Sequence, residues 1–143
     1  MIATRKILFL TAAIVISLAG KAFSDVAEKD HEHKTSHGGV VQEAEGMHAE
    51  LLIDKSGQPK VYLYDEAMKP LERSDMRAKL TVKSHDGAQH ERDLNFSKDP
   101  KEGPLLKGEP IKGLTDWDTA VVSLKLKDSW THLRFSHHTG AGR

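Results

Sequence analysis

The sequence predicts a small all-β domain, an antiparallel β-sandwich of immunoglobulin-like type with about six or seven strands. Between residues 40 and 136, short runs of apolar residues alternate with polar ones, as in strands with one buried and one solvated face. Turn residues separate these runs at the spacing expected of a sandwich. No segment after residue 24 keeps a helical apolar period over three turns. The length of 143 residues suits one domain, and a hydrophobic content of 38% indicates a thin core.

Residues 1–24 have the features of a cleavable secretory signal peptide, so we expect the protein to be exported. A basic start precedes the uncharged apolar run Ile7–Leu18, and small residues follow it. The run is short for a membrane span, which favours cleavage, after Ser24 or after Ala22, over an uncleaved anchor. The chain has no cysteine, so neither a disulfide framework nor a lipid attachment site is expected.

Residues 25–36 are dense in charge and lack apolar periodicity, which predicts a flexible, solvated tail. The tail contains His31 and His33, and His37 follows it directly. Short His-containing tracts of exported proteins often bind divalent metals, because neutral imidazole is a good ligand. The alternative is a charged linker in which histidine serves only solubility.

The folded domain is predicted to span residues 37–138 and to begin at the Gly38-Gly39 pair, which permits a bend into the first strand. The run from Met47 to Asp54 alternates in the manner of a strand. Its odd-numbered apolar side chains should point inward, whereas His48 and Glu50 should face outward.

The next two strands are predicted at residues 60–65 and 76–83. Tyr62 and Tyr64 share one face of the first of these, where aromatic pairs usually pack on the sheet rather than form a ligand platform. The second alternates apolar with mostly basic residues, and the Asp86-Gly87 pair that follows is the signal of a tight hairpin.

The remaining strands are predicted at residues 90–96 and in a closing hairpin from Trp117 to His137. Residues 97–113 are rich in Pro, Gly and Lys, which predicts a long connection with room for one short extra strand. A tight turn of even length at Lys127-Asp128 would place the apolar sides of the closing hairpin on one shared face. Residues 139–143 are expected to be a loose C-terminus.

Composition and motifs argue against nucleic-acid binding and against catalysis. The 21 basic and 21 acidic residues cancel, so the chain lacks the positive charge of a nucleic-acid binder. It contains no strained nucleophile motif and no Gly-rich phosphate loop. We therefore expect a binding protein rather than an enzyme.

Histidine is the residue type that departs most from ordinary usage, since nine histidines are about three times the usual share. Those nearest the two ends of the predicted domain would meet if the first and last strands were neighbours. The candidate metal ligands are His31, His33, His37, His48, His137 and His138. Histidine with methionine suits copper, and histidine with carboxylate suits zinc, nickel or cobalt, so a divalent metal or a copper ion is the expected cofactor.

Several segments resemble small exported β-sandwich proteins associated with heavy-metal efflux systems, related to segments beside or fused to the periplasmic adaptor subunits of cation-exporting pumps. The resemblance lies in the His37-Gly-Gly-Val-Val, His48-Ala-Glu-Leu-Leu and Val61-Tyr-Leu-Tyr-Asp65 strings, in Lys69-Pro70 and in the closing hairpin. It implies a periplasmic location, a role in metal-ion handling, and His37 and His48 as ligands. The sequence lacks the Cys residues or Met-rich tract that would single out copper.

Two functions follow from these observations. The first is a periplasmic metal-binding accessory protein that holds an ion and passes it to an efflux adaptor. The alternative is a metal-independent interaction module that docks on an envelope complex. Neither requires a membrane span after signal cleavage.

Overall fold

The computed structural model describes residues 35–137, which form eight β-strands and no helix. The strands are β1 Val40–Ala44, β2 Met47–Ile53, β3 Pro59–Asp65, β4 Arg77–Ser84, β5 Gln89–Asp99, β6 Gly103–Lys107, β7 Trp117–Leu126 and β8 Ser129–Ser136. The segments predicted as signal peptide and C-terminal end lie outside the described residues, as does the predicted tail up to residue 34. A helix long and apolar enough to cross a membrane is not found in this described range.

All eight strands belong to one antiparallel sheet, in the order β1-β2-β3-β6-β5-β4-β7-β8. The sheet curls until β1 lies beside β8. At this seam the Thr131 hydroxyl donates a hydrogen bond of 3.0 Å to the Glu45 carboxylate. The sheet is therefore nearly closed and barrel-like. The all-β, antiparallel prediction is confirmed, whereas the predicted six or seven strands are in fact eight, joined in one continuous sheet.

The additional strand comes from the segment predicted to be a long connection. β5 continues to Asp99, whose carboxylate accepts the backbone N–H groups of Lys101 and Glu102 and so stabilises a tight turn. β6 then pairs back along β5, from Asp99 opposite Gly103 to Asn95 opposite Lys107. The one short extra strand that the sequence allowed within residues 97–113 is therefore β6, and the turn at Asp99 holds it against β5.

The closing hairpin is confirmed in detail. Leu126 pairs with Ser129 across the two-residue turn, and Ala120 and Val122 lie opposite Phe135 and Leu133. These four side chains are buried in the main apolar core inside the curled sheet. Alternation therefore set both the register and the inward face of this hairpin.

A second, smaller apolar cluster lies on the outer face of the sheet. It consists of Tyr62, Tyr64 and Leu105, from β3 and β6, with Leu52 packed against it. The inner face of β3 carries Val61 and Leu63 in the main core, as its alternation predicts. Because β3 carries apolar side chains on both faces, its outer face has to be covered by another part of the chain.

Candidate functional site

The His37-Gly38-Gly39 segment lies against the outer face of β2 and β3. Gly38 has φ of 79°, a left-handed conformation that costs glycine little. Gly39 comes so close to β2 that an added Cβ would lie 2.5 Å from the carbonyl oxygen of Leu51. The two glycines therefore have different roles, one turning the chain and the other permitting the close approach.

Glu50 of β2 fixes this segment to the sheet. Its side chain is fully buried, and its Oε1 accepts the backbone N–H groups of His37 and Gly39, each at 2.9 Å. Its Oε2 lies 3.2 Å from the Nδ1 atom of His37 and accepts the Tyr64 hydroxyl at 3.3 Å. The prediction that Glu50 points to the outer face is right, but its predicted exposure to solvent is wrong, because the His-Gly-Gly segment covers it.

The imidazole of His37 is held between this carboxylate and an aromatic ring. It stacks on Tyr62 with ring centroids 3.6 Å apart and planes inclined by 4°. Its Nδ1 atom also lies 3.2 Å from the Tyr64 hydroxyl oxygen. The ring is 28% exposed, so one edge of it faces solvent while Nδ1 faces Glu50.

Electrostatics keep Glu50 ionised and the two tyrosines neutral. Burial opposes the charged form of Glu50, but the hydrogen bonds from Gly39 and His37 outweigh it, so its pKa is lowered from 4.5. Burial and then the Glu102 carboxylate raise the pKa of Tyr62 above its ordinary value of 10. Burial likewise raises the pKa of Tyr64, with the charge of Glu50 adding to the effect.

This arrangement selects one tautomer of His37. An ionised carboxylate can only accept hydrogen bonds, so the ring nitrogen that faces Glu50 must carry a proton. In the neutral imidazole the proton is then on Nδ1, and Nε2 carries a lone pair. A carboxylate that orients a histidine from behind is the usual arrangement around metal-ligating histidines.

His48 lies on the same outer face, two residues before Glu50, and pairs across the strands with Tyr64. Its Nδ1 atom is 3.0 Å from Oε1 of Glu43. Together with Glu45 and Glu66, these residues line an open cleft at the β1–β2 turn. An imidazole and carboxylates are a donor set suited to zinc, nickel or cobalt.

His137 is not part of this cleft: it follows β8 and packs beside the start of β7. It stacks on Trp117 with centroids 4.9 Å apart, and its Nδ1 atom is 3.7 Å from Oδ1 of Asp116. Nearby, the Nδ1 atom of His85 is 2.9 Å from Oδ1 of Asp118, and this carboxylate raises the pKa of His85. Each of these two carboxylates is therefore near a histidine.

The structure thus brings His37 and His48 to one face and places His137 against a different strand. His31, His33 and His138 lie outside the described residues, so a common site for all six stays a prediction. Within residues 35–137 no group of three or more His, Asp or Glu side chains is arranged to hold a metal. Comparisons of the chain with protein-family models, curated proteins and solved structures find no match, so function is inferred from the chemistry of the site.

Proposed function

We propose that this protein is a periplasmic metal-binding accessory protein for heavy-metal efflux or homeostasis, and that its folded domain contributes His37 as a ligand. The observation that supports this proposal is the contact between the buried Glu50 carboxylate and Nδ1 of His37. In the tautomer that this contact selects, Nε2 carries the lone pair, on a ring that is 28% exposed. Such a histidine binds a metal with little reorganisation, because its tautomer and orientation are already set.

The remaining ligands would come from the chain immediately before the domain. His31 and His33 precede His37 by six and four residues in the sequence, and short His-containing tracts are compositions that bind metal ions. A set of imidazoles suits zinc, nickel, cobalt or copper(II). His48 with Glu43 is the second pair of donors on the same face.

Calorimetric titration of the exported protein with each of these four ions tests the proposal. We expect His37→Ala to weaken the tightest binding at least about tenfold, and loss of both His31 and His33 to do the same. The matched control is His132→Ala, since His132 is an exposed imidazole of β8 that already contacts the Ser123 hydroxyl at 2.8 Å. Equal affinity of the wild type and His37→Ala would refute the role of His37.

Glu50→Gln separates metal binding from folding. Glutamine keeps an oxygen for the two backbone N–H groups but presents an NH₂ donor towards His37, which then has to accept at Nδ1 and carry its proton on Nε2. We expect a loss of metal affinity of about tenfold to a hundredfold. The fold should persist, as circular dichroism would show.

The alternative function makes a different prediction in the same titration. A metal-independent module that docks on an efflux adaptor or another envelope protein would bind none of the four ions in the wild type. Binding that depends on His31 and His33 but not on His37 would instead indicate a chelating tail without a ligand in the folded domain.

A further inference from the structure

The outer face of β4, β7 and β8 carries a cluster of basic residues that has no part in the site described above. The pairing of these strands has no register shift from Arg77 to Lys83, so the outward-facing side chains of neighbouring strands lie directly beside one another in rows. The basic face is defined by Arg77, Lys79, Lys83, Lys125 and Arg134, together with Lys127 in the adjoining turn. All six are exposed, and none forms an ion pair with another residue of the range 35–137.

An exposed tryptophan lies at the hairpin end of this face. Trp130 is 53% exposed and stands opposite Lys125, which in turn pairs with Arg77. The row across three strands is therefore arginine, lysine, tryptophan. Lys127, in the two-residue turn, extends the positive charge beyond the ends of both strands.

Carboxylates border the basic face rather than lie within it. Asp93 and Glu91 of β5 stand beside Lys79 and Thr81 at one margin, and Asp128 lies in the hairpin turn. The chain as a whole has no net charge, so this grouping of six cations is a segregation of charge and not a consequence of composition. A surface on which positive charges are grouped in this way attracts an extended anionic partner.

We propose that the basic face docks on an anionic phospholipid surface. Basic side chains near such a surface are attracted by its negative potential, and tryptophan is favoured at the level of the headgroups. A protein partner is less suited, because protein interfaces concentrate aromatic residues at their centre and exclude charge from it. Here the middle of the face is Thr81, Val121 and Ser123, with no aromatic side chain of the face's β4 and β7 rows among them, and the tryptophan is at one end.

Sedimentation with lipid vesicles measures this docking. Vesicles of phosphatidylcholine with about one third phosphatidylglycerol are compared with pure phosphatidylcholine, using wild type and the double variant Lys125→Glu/Lys127→Glu. We expect the double reversal to weaken binding to the anionic vesicles at least about tenfold. Added salt should weaken the wild type as well, because salt screens exposed charges.

The matched control reverses the charge of two lysines that lie outside the basic face. Lys55 and Lys112 are exposed and lie near each other, because the backbone N–H of Ile111 bonds to the Gly57 carbonyl at 2.9 Å. Lys55→Glu/Lys112→Glu changes net charge equally but leaves the basic face intact. Equal loss in both double variants, or wild-type binding that does not depend on the anionic lipid, would overturn the proposal.

Tryptophan fluorescence gives an independent measurement. The chain has two tryptophans, and Trp117 is only 6% exposed, so a blue shift on addition of vesicles should come from Trp130. We expect the shift in wild type and in the control variant, and its absence in Trp130→Phe. A blue shift that persists in Trp130→Phe would contradict docking through this face.

Discussion

Truncation of Glu50 tests whether one buried carboxylate holds the His-Gly-Gly segment on the sheet. Glu50→Ala removes the acceptor of two backbone N–H groups at 2.9 Å, of the His37 ring at 3.2 Å and of the Tyr64 hydroxyl at 3.3 Å. The Tyr64 hydroxyl and the His37 ring can still bond to each other, since they lie 3.2 Å apart, but the two N–H groups face β2 and lose their acceptor. Each such orphaned group costs about 1–3 kcal/mol. We therefore expect Glu50→Ala to lower the free energy of unfolding by about 3–5 kcal/mol, the range found when one partner of a buried charged network is removed.

Urea unfolding in metal-free buffer, followed by the fluorescence of the buried Trp117, measures this change. Glu50→Gln should lower the free energy of unfolding by only about 1–2 kcal/mol, since its oxygen still accepts the two N–H groups. Glu91→Gln removes an exposed carboxylate of β5 and serves as the control, with an expected change within about 0.5 kcal/mol. A loss below about 1 kcal/mol for Glu50→Ala would refute the reasoning, because the segment would then be held by other contacts.

Three further predictions concern the stability of the His-Gly-Gly segment and of the β1–β8 seam. Gly39→Ala should lower the free energy of unfolding by about 1–3 kcal/mol in urea titration, because its Cβ would lie 2.5 Å from a carbonyl oxygen of β2. In Gly38→Ala the added Cβ meets no atom, so the expected loss is about 1 kcal/mol and comes from the backbone φ of 79°. Since the folded state lowers the pKa of Glu50, its contribution to stability is present above the ordinary pKa of 4.5 and is lost as the pH falls below that value and through the lowered pKa. The stability of wild type should therefore fall more on acidification than that of Glu50→Gln. Thr131→Val removes the 3.0 Å hydrogen bond to Glu45 at the β1–β8 seam and should cost about 0.5–1.5 kcal/mol, measured by the same unfolding assay.

The alternation of apolar and polar residues predicted the strands well wherever one face of the sheet is apolar and the other is exposed to solvent. The closing hairpin shows this, since Ala120 and Phe135 face each other as expected and Trp130 lies opposite Lys125 on the exposed face. Closure of the sheet could not be predicted in this way. Whether the sheet curls into a nearly closed form depends on the approach of β1 to β8, which has no local sequence signal, and on the place of β6 between β3 and β5, which the prediction of a short extra strand did not give.

The candidate site was only half predictable for a related reason. His37 and the glycines after it were identified from the sequence, but Glu50 was assigned to solvent because alternation reports which face a residue is on and not what covers that face. A signal was present in the outer face itself, where Tyr62, Tyr64, Leu52 and Leu105 are too apolar for a solvated surface. A carboxylate within such a face needs hydrogen-bond donors, and the nearest chain able to supply backbone N–H groups was the glycine pair before β1.

The order of strands separates the two proposed surfaces. In the nearly closed sheet of eight strands, β7 is reached from β2 only by passing β8 and β1 in one direction or four other strands in the other. The basic face on β4, β7 and β8 therefore shares no strand with the His37 site on β2 and β3, and β1 lies between β8 and β2. We expect the affinity for zinc, measured by calorimetry, to be the same within about twofold with and without anionic vesicles, since the two events share no residue. A competition between vesicles and metal would show that the lipid contacts β2 and β3 instead, and would place the docking surface over Glu50 rather than over Lys125.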